Sequence, residues 1–261
     1  SGVAFVGQFQ NLMAFILSGS NLGIGHGVIK YLSDGSQSLE AKKSLLSTAF
    51  CISFCTSLVT SMGILIFHGE ISRYLFKSND YGEAVLLMGL AVSLIGLTQL
   101  MLQALNGFRQ VRSMIIAKIL ASVLGVIATV ALIYLKGIHG ALLAITVVQL
   151  IGFIVTVYFS SSKYWFSREF LLQGFHSASA AKLSKYALMT FTSVLLLNIR
   201  QLYLRDYIIV NLSSDTAGIW QAVWKISDMF VSLITFSLSV YYLPKLSSIS
   251  VDKELRSEIY K

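Results

Sequence analysis

An all-α integral membrane protein of about seven transmembrane helices is what this sequence predicts, on three observations. First, 55% of the 261 residues are hydrophobic and only 12% are charged, about half the charged share of a soluble domain. Second, apolar runs of the ~20 residues needed to cross a hydrocarbon core recur seven times. Third, most of the lysines and arginines behind the net charge of +8 sit in short gaps between those runs. That is the pattern of membrane loops rather than of a nucleic-acid surface. A soluble core could not hide so much apolar surface, so lipid must face much of it.

The runs cover 5–29, 44–68, 84–106, 114–135, 138–160, 184–210 and 217–243. The first holds Gly19, Gly23, Gly25 and Gly27, which read as close-packing or bend positions, with Asn11, Ser18 and Asn21 in one arc. The second holds Cys51 and Cys55, one helical turn apart. That spacing does not suit a disulfide, and with no flanking metal ligands they read as small buried hydrophobes. The third carries Gln99, Gln103 and Asn106, and the fourth and fifth are parted only by residues 136–138. A longer gap, 161–183, has the amphipathic look of Lys163, Tyr164, Trp165, Phe166 and Arg168. It reads as a cytoplasmic interfacial helix or linker between an N-terminal lobe, 1–160, and the start of a C-terminal lobe, 184–261. The chain opens at Ser1 without a signal-peptide pattern, so it is expected to be the middle of a longer polypeptide whose N-terminal lobe is incomplete.

Charge sets the orientation. The loops after spans one, three, five and seven, counted with their span ends, carry Lys30, Lys42, Lys43, Arg109, Arg112, Lys118, Lys163, Arg168, Lys182, Lys185, Lys245, Lys253, Arg256 and Lys261. The loops on the other side carry only Arg73, Lys77 and Lys136. Fourteen against three puts the first set in the cytoplasm. Gly7-Gln8-Phe9-Gln10 and Gly218-Ile219-Trp220-Gln221 repeat a Gly-x-aromatic-Gln pattern in spans six apart. The repeat fits two six-helix lobes related by an axis along the membrane normal.

Polar residues inside the spans mark the candidate site, because lipid-facing polar groups are costly. In the seventh span Gln221, Lys225, Asp228, Ser232, Thr235 and Ser239 recur at spacings of four and three. At 100° per residue they fill one stripe about 80° wide, which must face protein or water. The sixth span places Asn198, Gln201 and Arg205 on one face, with Arg200 and Asp206 beside it. Arg200, Arg205 and Lys225 outnumber Asp206 and Asp228, and a cationic cavity suits a phosphate or diphosphate. The substrate-binding candidates are therefore Arg205, Arg200, Lys225, Gln221, Asn198, Gln201, Asn11 and Asn21. Plainer readings stand beside these. Ser, Thr, Asn and Gln also glue membrane helices together. Arg205 and Asp206 could snorkel to the outer interface, and Lys225 with Asp228 could be a structural ion pair.

These residues also carry a resemblance. Gly218-Ile219-Trp220-Gln221, Ile226-Ser227-Asp228, Ile234-Thr235, Ser239-Val240-Tyr241, Leu243-Pro244 and Leu246-Ser247 resemble the O-antigen and enterobacterial common antigen flippases. Those form the polysaccharide branch of the superfamily that also holds the multidrug and toxin extrusion (MATE) transporters. Gly27-Val28-Ile29-Lys30-Tyr31, Asp80-Tyr81, Gly107-Phe108-Arg109 and Leu183-Ser184-Lys185 match as well, and Arg205 falls on a basic position of the family. The resemblance implies a two-lobe, twelve-helix MATE-like transporter of which this chain covers helices two to eight. It implies flipping of undecaprenyl-diphosphate-linked oligosaccharide across a bacterial plasma membrane by alternating access. Lys225 and Asp206 match no residue of that family and rest on periodicity alone. Asp228 and Asp80 are the coupling candidates. A proton or sodium gradient is the default drive, and a polysaccharide polymerase and chain-length proteins are possible partners.

Other functions fit less well. A cation-coupled drug antiporter would favour acidic membrane residues. A membrane polymerase or ligase would place catalytic groups in a substantial outer loop, whereas the loops near 69–83, 136–138 and 211–216 are small and His26, His68, His139 and His176 are scattered. A scaffold would not explain the stripe. No nucleotide motif is present, and no catalytic residue, metal site, cofactor or nucleic-acid partner is expected.

Overall fold

A computed structural model describes Phe9, Leu12, Met13, Ile16, residues 23–76 and residues 82–237. The described residues form helices and turns: α1 Gly25–Ser33, α2 Leu39–Phe76, α3 Gly82–Gly107, α4 Val111–Ser161, α5 Arg168–Leu171, α6 Ser177–Asn211 and α7 Ser214–Ser237. The chain divides into two compact units, Ser1–Asn198 and Ile199–Lys261, and the division falls inside α6.

Three helices of the first unit, α2, α3 and α4, are long and apolar enough to cross a membrane. The 51 residues of α4 would run about 77 Å if straight, over twice the hydrocarbon thickness. The run instead reverses at Gly137 (φ 55, ψ −128), a conformation that suits glycine. Gly140 then lies against the Leu132 backbone and Gly125 against the Val148 side chain. The two legs are antiparallel and supply the expected crossings 114–135 and 138–160. α6 and α7 are 35 and 24 residues long and carry Lys182, Lys185, Arg200, Arg205, Asp206, Asp215, Lys225 and Asp228.

The first expected span, 5–29, is not one straight helix. Phe9, Leu12, Met13 and Ile16 are helical, but the chain turns at Gly23, whose φ is +69, before α1 begins. A Cβ at Gly23 would lie 2.7 Å from Thr190 Cβ, so close approach of α6 also demands glycine there.

The first unit packs in two layers along the helix axes. One layer joins the end of α1, the start of α2, the end of α3 and the start of α4 through Val28, Leu32, Leu46, Leu105, Met114 and Leu183. The other joins Phe9, Ile64, Val85, Met88, Ile95 and Leu142 near the opposite ends. In lipid the hydrophobic effect does not hold helices together, so small side chains and interhelical hydrogen bonds must. Ser61 Oγ donates to Gly89 O at 2.6 Å and Ser57 Oγ to Ser93 O at 3.4 Å, seaming α2 to α3. The two cysteines are free, and Cys55 is exposed rather than buried, near the exposed Phe54, Leu58 and Val59. Lipid is as apolar as a core, so a hydrophobic residue carries no signal of which it faces.

The first layer is capped by the segment 162–176. In place of a long interfacial helix it makes turns around the single-turn α5. Trp165 is fully buried. Its Nε1–H donates to Gln110 Oε1 at 3.1 Å, and its ring stacks on Phe108 at 5.7 Å. Phe170 meets Phe108 edge-on at 6.2 Å. Ser47 Oγ donates to Gly174 O at 2.8 Å and the His176 N–H to Thr48 Oγ1 at 3.1 Å, tying the segment to α2.

Gly107-Phe108-Arg109 closes α3 with three distinct roles. A Cβ at Gly107 would lie 2.7 Å from Leu32 Cβ, Phe108 is the aromatic hub, and Arg109 is left-handed with φ 58. The Gln110 N–H reaches Leu105 O at 2.8 Å and the Arg109 N–H reaches Asn106 O at 2.9 Å, the bond pair of a Schellman cap. Arginine replaces the usual glycine at a cost of about 1–2 kcal/mol, and its Nη2 donates to Ser33 O at 3.4 Å, tying α3 to α1.

Candidate functional site

The second unit carries the charged candidates. α7 is continuous from Ser214 to Ser237, so Gln221, Lys225, Asp228, Ser232 and Thr235 stand on one helical stripe; Ser239 lies outside the described residues. Gln221 is half-buried, and Lys225, Asp228, Ser232 and Thr235 are exposed. So are Met229, Phe230, Val231, Leu233 and Ile234 on the other faces. Polarity, not burial, therefore sets this face apart. The Ser232 hydroxyl turns back to Met229 O at 2.8 Å, so it serves its own helix. Arg200 on α6 holds its guanidinium 5.3 Å from the centre of the Trp224 ring. Trp220 and Trp224 pack together with centroids 5.6 Å apart and planes 30° apart.

Asn198, Gln201 and Arg205 all stand on the continuous α6, and the described structure covers their backbone rather than their side chains. Asn11, Asn21 and Asp80 lie outside the described residues. The helices thus bring Arg200 beside α7 and keep Lys225 and Asp228 one turn apart.

In the first unit, polar residues of the third span meet the glycines of the first. A Cβ at Gly25 would lie 2.2 Å from Gln103 Nε2. Gln103 Oε1 and Thr190 Oγ1 are buried without a hydrogen-bond partner among the described residues. Gly27 faces Leu183 and Tyr186 at 3.2 Å. α1 therefore uses its glycines to approach α3 and α6 closely, the packing role expected for them.

The basic end of this unit ties α1 to α6 through charged and aromatic groups. Lys30 Nζ donates to the Tyr186 hydroxyl. Lys182 Nζ lies 5.7 Å from the Tyr31 ring centre, and Tyr31 meets Tyr186 edge-on at 5.8 Å. Lys43 reaches Glu40 at 3.0 Å and Glu169 at 3.6 Å. In the loop after α1 the Ser36 hydroxyl and amide hydrogen-bond the Asp34 carboxyl and hold it below its usual range. The paired lysines and tyrosines were visible in sequence only as Lys30-Tyr31 and as Lys182 four residues before Tyr186. Neither spacing says that the two segments meet.

Comparison with known proteins adds family and fold. A family model described as "Polysaccharide biosynthesis protein" matches residues 8–261. Two curated proteins named Lipid III flippase, from Escherichia coli (strain K12) and Shigella flexneri, are each 26% identical over 261 residues. The chain spans 63% of their length. Among solved structures, an inward-facing multidrug resistance MATE family transporter of the MOP superfamily matches with a TM-score of 0.73 at 15% identity, over 87% of this chain and 54% of that one. A MOP superfamily transporter from Pyrococcus furiosus, described as having a binding pocket of reverse polarity, matches at 0.71 and 16%, over 86% and 52%. At these identities the structural likeness shows the fold alone.

Proposed function

The chain belongs to the polysaccharide biosynthesis protein family, and on that premise we propose that it is part of a flippase, a transporter rather than an enzyme. The cargo is an undecaprenyl-diphosphate-linked oligosaccharide of O-antigen or related surface polysaccharide. It moves from the cytoplasmic to the outer leaflet of a bacterial plasma membrane by alternating access between two lobes. The observation that carries this reading is the sign of the charge on α6 and α7. Together α6 and α7 carry five cations, Lys182, Lys185, Arg200, Arg205 and Lys225, against three carboxylates, Asp206, Asp215 and Asp228, on a fold shared with drug transporters. A cationic drug would be repelled by that excess, whereas a diphosphate gains charge-assisted hydrogen bonds from it. The names of the two curated relatives support the same cargo class.

In this mechanism Arg205 holds the diphosphate, with Lys225; Arg200 meets the cargo beside them, and Gln221, Asn198 and Gln201 supply neutral donors and acceptors. Asn11 and Asn21 are the remaining cargo-binding candidates. Asp228 stands about twelve residues into the expected span 217–243, near mid-bilayer, where an unpaired carboxylate is expensive or protonates. It acts as a switch with Lys225: diphosphate, a proton or a sodium ion weakens their pairing and lets the lobes rearrange. Asp80 is the second coupling candidate. A polymerase and chain-length proteins would take up the product.

The test is a pair of substitutions in the full-length protein. Arg205→Ala should abolish surface polysaccharide while the protein still inserts, and Arg205→Lys should keep part of it, since charge matters before fork geometry. Asp228→Asn should give stable protein without flipping, and the swap of Lys225→Asp with Asp228→Lys should not restore it. Normal polysaccharide from Arg205→Ala would make Arg205 an interfacial anchor. Full transport by the swapped variant would leave Asp228 structural.

A further inference from the structure

Two tryptophans of the second unit are left unused by the charge argument. Trp220 and Trp224 stand one turn apart on α7, in contact at 5.6 Å between centroids, and the Arg200 guanidinium lies 5.3 Å from the Trp224 ring centre. Taking Trp220 as 0° and 100° per residue, Trp224 falls at about 40° and the polar stripe runs from about 60° at Thr235 to about 140° at Lys225. The indoles therefore border the stripe. Trp224 is seven residues past the start of the expected span at residue 217, about 10 Å along the axis and a third of a ~30 Å core. That is deeper than the headgroup belt where membrane tryptophans usually anchor. Both rings are half-buried, so neither is sealed into a core.

An indole beside a guanidinium and a polar stripe suits a ligand with one apolar face and a polar rim. A pyranose has that form. Its axial C–H bonds carry partial positive charge and stack on the negative face of the ring, while its hydroxyls ring the edge within reach of guanidinium N–H donors. The same stripe carries the cations to which a phosphate on that ligand would go.

We propose that Trp220, Trp224 and Arg200 form a platform that holds the sugar nearest the diphosphate, an inference that rests on the flippase reading given above. Stacking on an indole asks only for a C–H face, so the platform accepts different pyranoses, and the arginine ranks them by the placement of their hydroxyls.

The experiment measures binding to purified full-length protein of two probes, farnesyl diphosphate and farnesyl-diphosphate-linked N-acetylglucosamine. Native protein should bind the sugar-bearing probe about tenfold more tightly than the sugarless one. Trp220→Ala with Trp224→Ala should bring that ratio close to one and leave the affinity for farnesyl diphosphate unchanged, which also shows that the variant is folded. Trp224→Phe should keep part of the ratio, because a smaller ring still stacks. An unchanged ratio in the double alanine variant overturns the platform, as does equal loss of both probes, which makes the indoles structural. Native protein that binds farnesyl diphosphate without preferring the sugar removes the platform and leaves the flippase reading standing. Binding of neither probe removes both.

Discussion

Gly140→Ala gives the sharpest test of how the α4 hairpin closes. An alanine Cβ at that position would lie 1.9 Å from Leu132 O and 2.5 Å from its carbonyl carbon. An ordinary C···O approach is about 3.3 Å, so the legs must part by about 1.4 Å. The obstacle is backbone, and no rotamer change relieves it. Overpacking that side chains can absorb costs about 1–3 kcal/mol, and this case belongs at the upper end or beyond. For a chain of this size that lowers the melting temperature by roughly 5–10 °C. Gly152→Ala is the internal control, since nothing lies within 4 Å of a Cβ there and alanine favours a helix by about 0.5–1 kcal/mol. The assay is thermal unfolding of detergent-solubilised full-length protein, followed by size-exclusion chromatography of heated samples. Equal melting of the Gly140→Ala and Gly152→Ala proteins would refute a hairpin closed through Gly140.

Two further outcomes follow from the basic end. Trp165→Ala should destabilise by about 3–5 kcal/mol, and Gln110→Ala, which leaves the buried indole N–H without its acceptor, by about 1–3 kcal/mol; the same melting assay checks both. In a cysteine-free background, single cysteines at Gly35, Gln110 or Ser167 should react with an impermeant thiol reagent only from the cytoplasm, and those at Asn79 or Ser213 only from outside. Reversal at Asn79 or Ser213 would overturn the orientation.

Hydropathy made the helices legible because a ~20-residue apolar run has few other uses. The charge pattern pointed to the basic end, and in the structure the end of α1, the start of α2 and the end of α3 do meet there. The same signals could not place Trp165. Its neighbours Lys163 and Arg168 gave the segment an amphipathic look, yet the indole is buried because Gln110 and Phe108, more than fifty residues earlier, accept it. The break at Gly23 was equally hidden, since it answers to Thr190 on a distant helix. Spacing put Gln221, Lys225, Asp228, Ser232 and Thr235 on one side of a helix that α7 does form, but the exposure of Lys225, Asp228, Ser232 and Thr235 alongside apolar neighbours does not say which side meets the cargo. The indoles of Trp220 and Trp224 were visible only as residues one turn apart; their contact and the guanidinium over Trp224 needed coordinates.

The central claim is that a polyprenyl-diphosphate-linked oligosaccharide crosses the bilayer through this protein. The direct measurement reconstitutes full-length protein with that lipid in sealed vesicles, adds a glycosidase outside, and follows the fraction of sugar released. Native protein should expose nearly the whole pool, while vesicles with Arg205→Ala protein should release only the sugar that began in the outer leaflet. Release by native protein no greater than from protein-free vesicles, with uptake of a cationic dye by the same vesicles, would contradict the flippase and favour the antiporter.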